Sequence, residues 1–194
     1  MRALCLGAQL TKGSEKASED FLSMGSINYI VEYLNSSNES FRVEALQVLE
    51  NVSEFQIGYQ VFSKFSILTR VIILLEEGLQ TKTDAGIDQA ISSVKILRNY
   101  AKISPKATQE LHDFGGIQSL SKAFFCQDLQ IRRVSIEILG MLTLTDETAL
   151  ELGNLGMVGL TLKLMNQQEY SVQYHASRLF RNITSRLAVL GKII

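Results

Sequence analysis

Apolar residues along this 194-residue chain form four sets with the same helical spacing. Ile27, Ile30 and Leu34 lie at positions i, i+3 and i+7, which places their side chains on one face of an α-helix. The equivalent sets are Leu68, Val71 and Leu75; Ile117, Leu120 and Phe124; and Met157, Leu160 and Leu164. The sets begin 41, 49 and 40 residues apart. This periodicity predicts a chain built from helical repeats.

A column of polar residues runs in step with the apolar sets. Asn51, Asn99 and Asn182 each follow a small residue by six positions and precede an apolar residue, and Gln9 and Met141 hold the equivalent positions in other repeats. The five positions are separated by 42, 48, 42 and 41 residues. A sustained period near 42 residues is typical of helical solenoids, in which each repeat packs only on its neighbours.

Each full repeat is expected to contain a short helix, a turn and two longer helices. In the third repeat, Ser104-Pro105 predicts a helix start, because Ser can cap a helix and Pro suits its first turn. Gly115-Gly116 predicts a break between the first and second helices. A third helix is expected over residues 129–144. The chain shows no sustained alternation typical of strands, so the predicted fold class is all-α.

We expect one domain over residues 1–194, with a partial repeat at the start, four full repeats and the beginning of another. The predicted boundaries are 1–17, 18–55, 56–103, 104–145, 146–184 and 185–194. The spacing of the apolar sets and the spacing of the polar column are both longer across the second full repeat. The polar segment 76–86, which holds two Gly, is therefore predicted to be an inserted loop. Such an array would expose an apolar face at its end. The residues of that face would be Leu187, Val189, Leu190, Ile193 and Ile194. We expect one of two explanations for this face. Either the chain is a piece of a longer protein, or its ends dock on another subunit or on missing repeats.

These motifs resemble the armadillo repeat, in which a short helix, a Gly-containing break, an Ile-x-x-Leu-x-x-x-Leu helix and a helix closing with Leu-x-Asn-Leu follow one another. The breaks here are Gly25-Ser26, Phe65-Ser66, Gly115-Gly116 and Leu155-Gly156, and the closing motifs occupy residues 49–52, 97–100, 139–142 and 180–183. The resemblance covers nearly the whole chain. It implies a right-handed α-solenoid of three-helix repeats. The related HEAT repeat is the structural alternative, but it lacks the regular Gly break and the Asn column.

Composition narrows the functional classes. A hydrophobic content of 46% excludes wholesale disorder. A net charge of −1 gives no global field to attract nucleic acid or anionic lipid. Charge is nevertheless uneven, since residues 1–60 carry 4 basic and 8 acidic side chains, and residues 154–194 carry 5 basic and 1 acidic. Only two Cys are present, so we expect reduced thiols in an intracellular protein, cytoplasmic rather than nuclear. No apolar run is long enough to predict a membrane span.

The resemblance implies that the Asn column lines the inner, concave surface of the solenoid, where amides hydrogen-bond the main chain of an extended peptide. An amide suits that role because it offers both a donor and an acceptor. Residues one helical turn earlier should share the surface. The predicted partner-binding ladder is Gln47, Asn51, Lys95, Asn99, Arg133, Glu137, Tyr174, Arg178 and Asn182. The alternative is a structural one, in which each Asn only bonds backbone within its own repeat.

The charge of this ladder bears on its partner. In importin-like members the position one helical turn before the Asn is commonly Trp, and this chain contains no Trp. Lys95 and Arg178 hold that position in two repeats and would repel a basic peptide. Lys95, Arg133, Arg178 and Arg181 would instead favour an acidic segment, extended or helical.

Other candidate chemistry is weak. His112 and His175 lie in different repeats with no Cys or acidic cluster at ligand spacing, so no metal or cofactor is expected. The segment 153–159 is rich in Gly but follows a helix rather than a strand, which disfavours a nucleotide loop. The tyrosines are not interleaved with a basic run, which disfavours nucleic acid. We therefore expect a non-catalytic scaffold that binds a partner in its concave groove. The alternative is a structural subunit of a larger cytoskeletal, ciliary or trafficking assembly, held through its ends and convex face, and an enzyme is the third class.

Overall fold

The computed structural model describes residues 2–81, 83–167 and 169–191, without the side chains of Arg2 and Ala3. Over these residues it contains thirteen α-helices and no strand, which confirms the predicted fold class. The chain forms two compact units, residues 1–107 and 108–194, and the single domain expected from the sequence stays a prediction. The division falls inside the eighth helix.

Unit 1 contains a lone helix followed by two groups of three. The lone helix is α1 (Arg2–Thr11). The first group is α2 (Glu15–Ser23), α3 (Ser26–Leu34) and α4 (Glu39–Ser53), and the second is α5 (Gln56–Phe65), α6 (Ile67–Gln80) and α7 (Asp84–Ile103). Side chains cap several helix starts: Ser14, Asn38 and Thr83 accept backbone N–H bonds at the starts of α2, α4 and α7.

Two further groups of three follow. The third group is α8 (Pro105–Asp113), α9 (Gly116–Ala123) and α10 (Leu129–Leu142), and the fourth is α11 (Asp146–Asn154), α12 (Met157–Met165) and α13 (Tyr170–Val189). The predicted start of α8 is confirmed, because Ser104 Oγ accepts the Ala107 N–H at 3.1 Å and Pro105 opens the helix. At the start of α10, Asp128 accepts two N–H bonds.

The break between the first and second helix of each group is a single residue in the left-handed conformation. These residues are Gly25 (φ 77°), Ser66 (φ 53°), Gly115 (φ 82°) and Gly156 (φ 73°). An L-residue is strained there because its Cβ approaches the backbone. Ser66 is therefore the one described break in which a side chain is held at positive φ.

The expected loop insertion at residues 76–86 is wrong. The extra residues lengthen two helices, since α6 has 14 residues and α7 has 20, against 9 and 15 for α3 and α4. Residues 76–80 complete α6 and residues 84–86 open α7. The two Gly are contact points: a Cβ on Gly78 would lie 2.6 Å from the Gly86 carbonyl oxygen. They let the two helices approach closely rather than form a loop.

The apolar sets of the second helices form the core of each unit. All of them are buried except Leu160, which is half-buried. The expected terminal face is wrong at Leu187, which is 5% exposed and lies against Gly153 of α11. Val189 and Leu190 are exposed, and Ile193 and Ile194 lie outside the described residues. Residues 185–189 continue α13 instead of opening a new helix, which corrects the repeat start expected there.

Within the described residues, no single helix has the length and hydropathy needed to cross a membrane. Only α5 and α6 taken together reach that length and composition, and they are bent by 89° at their break.

Candidate binding surface on the third helices

The last helix of each group presents the predicted ladder. In unit 1 these last helices are α4 and α7, and the lone helix α1 is counted with them because it carries the column position Gln9. We call α1, α4 and α7 the third helices of unit 1. Together they line one open cavity of about 460 Å³, which we call the unit 1 cavity. Its lining is Cys5, Ala8 and Gln9 from α1, with Lys12 just after it; Gln47, Glu50 and Asn51 from α4; and Asp88, Ile91, Ser92 and Lys95 from α7. The structure thus brings Gln47, Asn51 and Lys95 of the predicted ladder together.

The charge of this cavity is balanced. Lys95 Nζ lies 2.7 Å from Glu50 Oε1, and both side chains are mostly buried. The other charged lining residues, Lys12 and Asp88, are one of each sign. Lys95 was predicted to select acidic partners, but a carboxylate from the neighbouring third helix already neutralises it. The unit 1 cavity therefore presents amides and a hydroxyl around an internal ion pair.

The asparagine amides of unit 1 tie successive third helices together. Asn51 Nδ2 donates to the Ala8 carbonyl at 2.7 Å and to Thr11 Oγ1 at 3.2 Å, joining α4 to α1. Asn99 Nδ2 donates to Ser53 Oγ at 2.9 Å, joining α7 to α4. Under the structural alternative, each Asn would bond backbone groups of its own repeat. The observed bonds instead cross from each repeat to the preceding one.

The same arrangement occurs in unit 2. Asn182 Nδ2 of α13 donates to the Gly140 carbonyl of α10 at 2.9 Å. Met141, which replaces Asn in the column, is half-buried and has no amide to donate. The hydroxyl acceptors Thr11 and Ser53 both lie two residues after the column position, and this regular spacing was readable in the sequence. The amide nitrogens therefore have a structural role, and a partner-binding role for the asparagines stays a prediction.

Asn99 lies in a different depression from Asn51. That cavity has a volume of about 390 Å³ and is lined by Ser53, Glu54, Phe55, Gln56, Asn99, Lys102 and Ile103. Its walls come from α4, α5 and α7. The amide oxygen of Asn99 also accepts from Arg98, at 3.2 Å from Nη2. Asn99 is thus held on both sides by protein groups.

In unit 2, Tyr174 and Arg178 of the predicted ladder line a cavity of about 490 Å³ together with Ser177 and Arg181, which we call the α13 cavity. All four residues belong to α13. Arg133, Glu137 and Asn182 are half-buried and are not among its lining residues. The sequence placed these ladder residues on one surface, but of the five only Tyr174 and Arg178 are among the described lining residues of this cavity.

A second column of long polar side chains was missed by the sequence analysis. Arg42, Arg132 and Gln173 each lie nine residues before a column position. Arg42 donates to the carbonyls of Ser36 and Ser37 at 2.9 and 3.1 Å, and Arg132 donates to the Cys126 carbonyl at 2.8 Å. Gln173 donates to the Gln167 carbonyl. These side chains satisfy carbonyls just after the ends of α3, α9 and α12, where helix bonding no longer supplies a donor.

No group of three or more His, Cys, Asp or Glu side chains suited to a metal occurs in the described part of the chain. His112 Nε2 instead lies 3.1 Å from Glu151 Oε2, which connects α8 to α11 within the described residues. The two cysteines, Cys5 and Cys126, are free thiols.

Several solved structures with a similar fold are designed or engineered proteins. A computationally designed armadillo repeat protein for modular peptide recognition aligns with a TM-score of 0.82 and 16% identity, over 99% of this chain and 82% of that chain. A designed armadillo repeat protein in complex with the peptide (KR)4 aligns with a TM-score of 0.81 and 17% identity, over 98% and 81%. An engineered protein aligns with a TM-score of 0.80 and 21% identity, over 98% and 78%. No protein-family model matches the chain, and the comparison with curated proteins gave no match. The chain has an armadillo-like, all-α solenoid fold.

Proposed function

We propose that the chain is a non-catalytic protein-binding scaffold, and that its third-helix surface holds an extended segment of a partner protein. The unit 1 cavity is the observation that carries this proposal. Three successive third helices contribute polar side chains to one open depression of about 460 Å³. Open depressions lined by convergent polar groups are the usual form of a recognition site.

The exposed amides of Gln9 and Gln47 are the best candidates for contact with a peptide main chain. Both side chains line the unit 1 cavity and are exposed. Each amide can donate to a peptide carbonyl and accept from a peptide N–H. The Asn51 nitrogen is already bonded to α1, so its amide oxygen is the atom that a partner would use. The main hydrogen bonds to the partner are therefore proposed for Gln9 and Gln47 rather than for the asparagines.

The likeness to designed armadillo repeat proteins supports a peptide ligand. One of those proteins was designed for modular peptide recognition, and another is in complex with (KR)4. Their identity to this chain is only 16% and 17%, so the ligand must be inferred from the residues present here. We propose an acidic segment as the partner of this chain, because Arg178 and Arg181 line the α13 cavity and none of its described lining residues carries a carboxylate.

Selection of peptides from a random displayed library, followed by titration against two matched variants, tests the proposal. Gln47→Arg places a long side chain in the unit 1 cavity. Thr69→Arg places the same side chain at an exposed position of α6 that lines a different cavity, between α3 and α6. Both positions are exposed and helical, and Arg is a good helix former, so both variants should fold.

We expect Gln47→Arg to weaken binding of the selected peptides at least tenfold and Thr69→Arg to change it less than twofold. If Thr69→Arg weakens binding and Gln47→Arg does not, the third-helix surface is not the binding site. The result would then favour a structural subunit that docks through its second helices.

That alternative rests on one specific observation. A cavity of about 340 Å³ lies between α3 and α6 and is lined mainly by apolar side chains. Its lining includes Val31, Leu34, Phe65, Ile67 and Ile73, and Ile73 is 44% exposed. Exposed apolar surface favours contact with another protein. The matched variants above separate this surface from the unit 1 cavity.

A further inference from the structure

The helix α13 carries an excess of positive charge that the protein does not neutralise. Its twenty residues include Arg178, Arg181 and Arg186 and no acidic residue. Arg186 Nη1 pairs with Asp146 Oδ1 at 3.0 Å. Among the described residues, no carboxylate oxygen lies within 4.0 Å of the guanidinium of Arg178 or Arg181. Two of the three guanidiniums therefore remain available to a ligand.

The two unpaired arginines line the same cavity. Arg178 and Arg181 lie three residues apart on one helix, and side chains at that spacing are neighbours on the helix surface. They line the α13 cavity, of about 490 Å³, with Tyr174 and Ser177. Both arginines are exposed, and Tyr174 is 53% exposed. The Ser177 hydroxyl already donates to the Tyr174 carbonyl, so the arginines and the tyrosine hydroxyl are the donors left for a ligand.

We propose that the α13 cavity binds a phosphorylated side chain of the partner segment. A phosphomonoester carries close to two negative charges at neutral pH and presents three acceptor oxygens. The two arginines supply two positive charges and planar forks of donors that suit phosphate oxygens. The tyrosine hydroxyl adds a further donor. The inference rests on the proposed function, since it names the group that this surface would read in a bound peptide.

Neighbouring charges are consistent with a local site rather than a broad basic surface. Glu137 of α10 lies four residues before Met141, just as Arg178 lies four residues before Asn182. Arg133 lies one helical turn before Glu137. These two side chains are of opposite sign, so positive charge concentrates at the α13 cavity. His175, whose ring lies 5.2 Å from the Tyr174 ring centroid, is half-buried beside it. A polyanion such as nucleic acid or a charged membrane is bound best by an extended basic surface. A single phosphorylated side chain needs only this cavity.

The test uses three fluorescein-labelled peptide libraries with identical randomised flanks and a central Ser, phosphoserine or Glu. Fluorescence polarisation measures the affinity of each library for the full chain. The double variant Arg178→Gln/Arg181→Gln removes the proposed donors. The double variant Arg178→Lys/Arg181→Lys keeps the charge but loses the planar forks. Lys163→Gln removes one exposed positive charge from α12 and serves as the matched control.

We expect the phosphoserine library to bind the wild type at least tenfold more tightly than the Ser library and at least threefold more tightly than the Glu library. The Gln double variant should abolish the phosphoserine preference, the Lys variant should reduce it, and Lys163→Gln should leave it within twofold. Melting temperatures of all variants close to that of the wild type would show that folding is intact.

Three results would overturn the proposal. These are equal binding of the Ser and phosphoserine libraries, a phosphate preference that survives the Gln double variant, and Arg-dependent binding confined to vesicles that contain phosphatidylinositol 4-phosphate. If the Ser library binds and is weakened by Gln47→Arg while phosphate has no effect, only this inference fails. If no library binds at all, the proposed function fails with it.

Discussion

The Asn51 amide should stabilise unit 1, and removing it should loosen α1 selectively. Its nitrogen donates to the Ala8 carbonyl at 2.7 Å and to Thr11 Oγ1 at 3.2 Å. In Asn51→Ala both bonds are lost. The Thr11 hydroxyl keeps its own bond to the Gly7 carbonyl, whereas the Ala8 carbonyl lies in the last turn of α1, where the helix leaves carbonyls unpaired.

The expected cost follows from those two bonds. A net contribution of about 0.5–1.5 kcal/mol for each bond gives a loss of about 1–3 kcal/mol of unfolding free energy. Asn51→Asp should cost at least as much, because it replaces the donating nitrogen with an oxygen that faces the Ala8 carbonyl oxygen. Gln47→Ala is the matched control. It lies one helical turn earlier and is exposed, so its change should stay within about 0.5 kcal/mol.

Native-state hydrogen exchange resolves this effect better than a global melting curve, because the chain contains two compact units that need not unfold together. A loss of about 1–3 kcal/mol should speed the exchange of α1 amides by a factor of about 5–150. The amides of α11 and α12 in unit 2 should not change. If Asn51→Ala leaves α1 exchange and the urea midpoint unchanged, the amide does not act as a structural link. The asparagine column would then serve a partner alone.

Four further substitutions, in two matched pairs, give sharp expectations by urea denaturation. Ser66→Gly should stabilise the chain by about 0.5–1 kcal/mol, because Ser66 is held at φ 53°. Gly25→Ala should destabilise it by about 1 kcal/mol through backbone strain alone, since no atom lies within 4 Å of the added Cβ; equal stability of both variants and wild type would contradict the left-handed breaks. Arg42→Met should cost about 1.5–3 kcal/mol, because its mostly buried guanidinium donates to two carbonyls. Arg186→Met breaks only an exposed pair with Asp146 and should cost less than about 1 kcal/mol, so a larger loss there than at Arg42 would refute this ranking.

The periodic features of the fold could be predicted because they depend on local spacing. The i, i+3, i+7 sets became the buried faces of α3, α6, α9 and α12, with Leu160 the half-buried exception. The break at Gly115 was predictable because a turn at positive φ favours Gly. Each of these signals lies within one repeat, so one sequence was enough to read it.

The segment 76–86 shows where local signals mislead. Gly78 and Gly86 resembled loop residues, but they lie where α6 and α7 approach so closely that a Cβ would not fit. Helix crossing depends on residues from two helices at once. A Gly that permits close packing and a Gly that permits a turn look the same in one sequence.

The sequence predicted that three ladder residues lie together in unit 1, but not which protein groups their side chains would bind. Gln47, Asn51 and Lys95 do line one cavity. Yet the charge of Lys95 is neutralised by Glu50, 45 residues earlier in the chain. The Asn51 nitrogen is likewise directed to α1 by the packing of neighbouring repeats. Such partners depend on how successive third helices align, which the spacing of the columns does not specify.

The most direct test of the binding surface is site-specific photocrosslinking. Benzoylphenylalanine is placed at Gln47 in the unit 1 cavity or at Thr69 on α6, two exposed positions of the same unit. Each protein is irradiated with a labelled peptide taken from the displayed library, and the covalent adduct is quantified by mass spectrometry. The account predicts a strong adduct at position 47, suppressed by excess unlabelled peptide, and none above background at position 69. An adduct at position 69 without one at position 47 would contradict the claim that the third helices bind the partner.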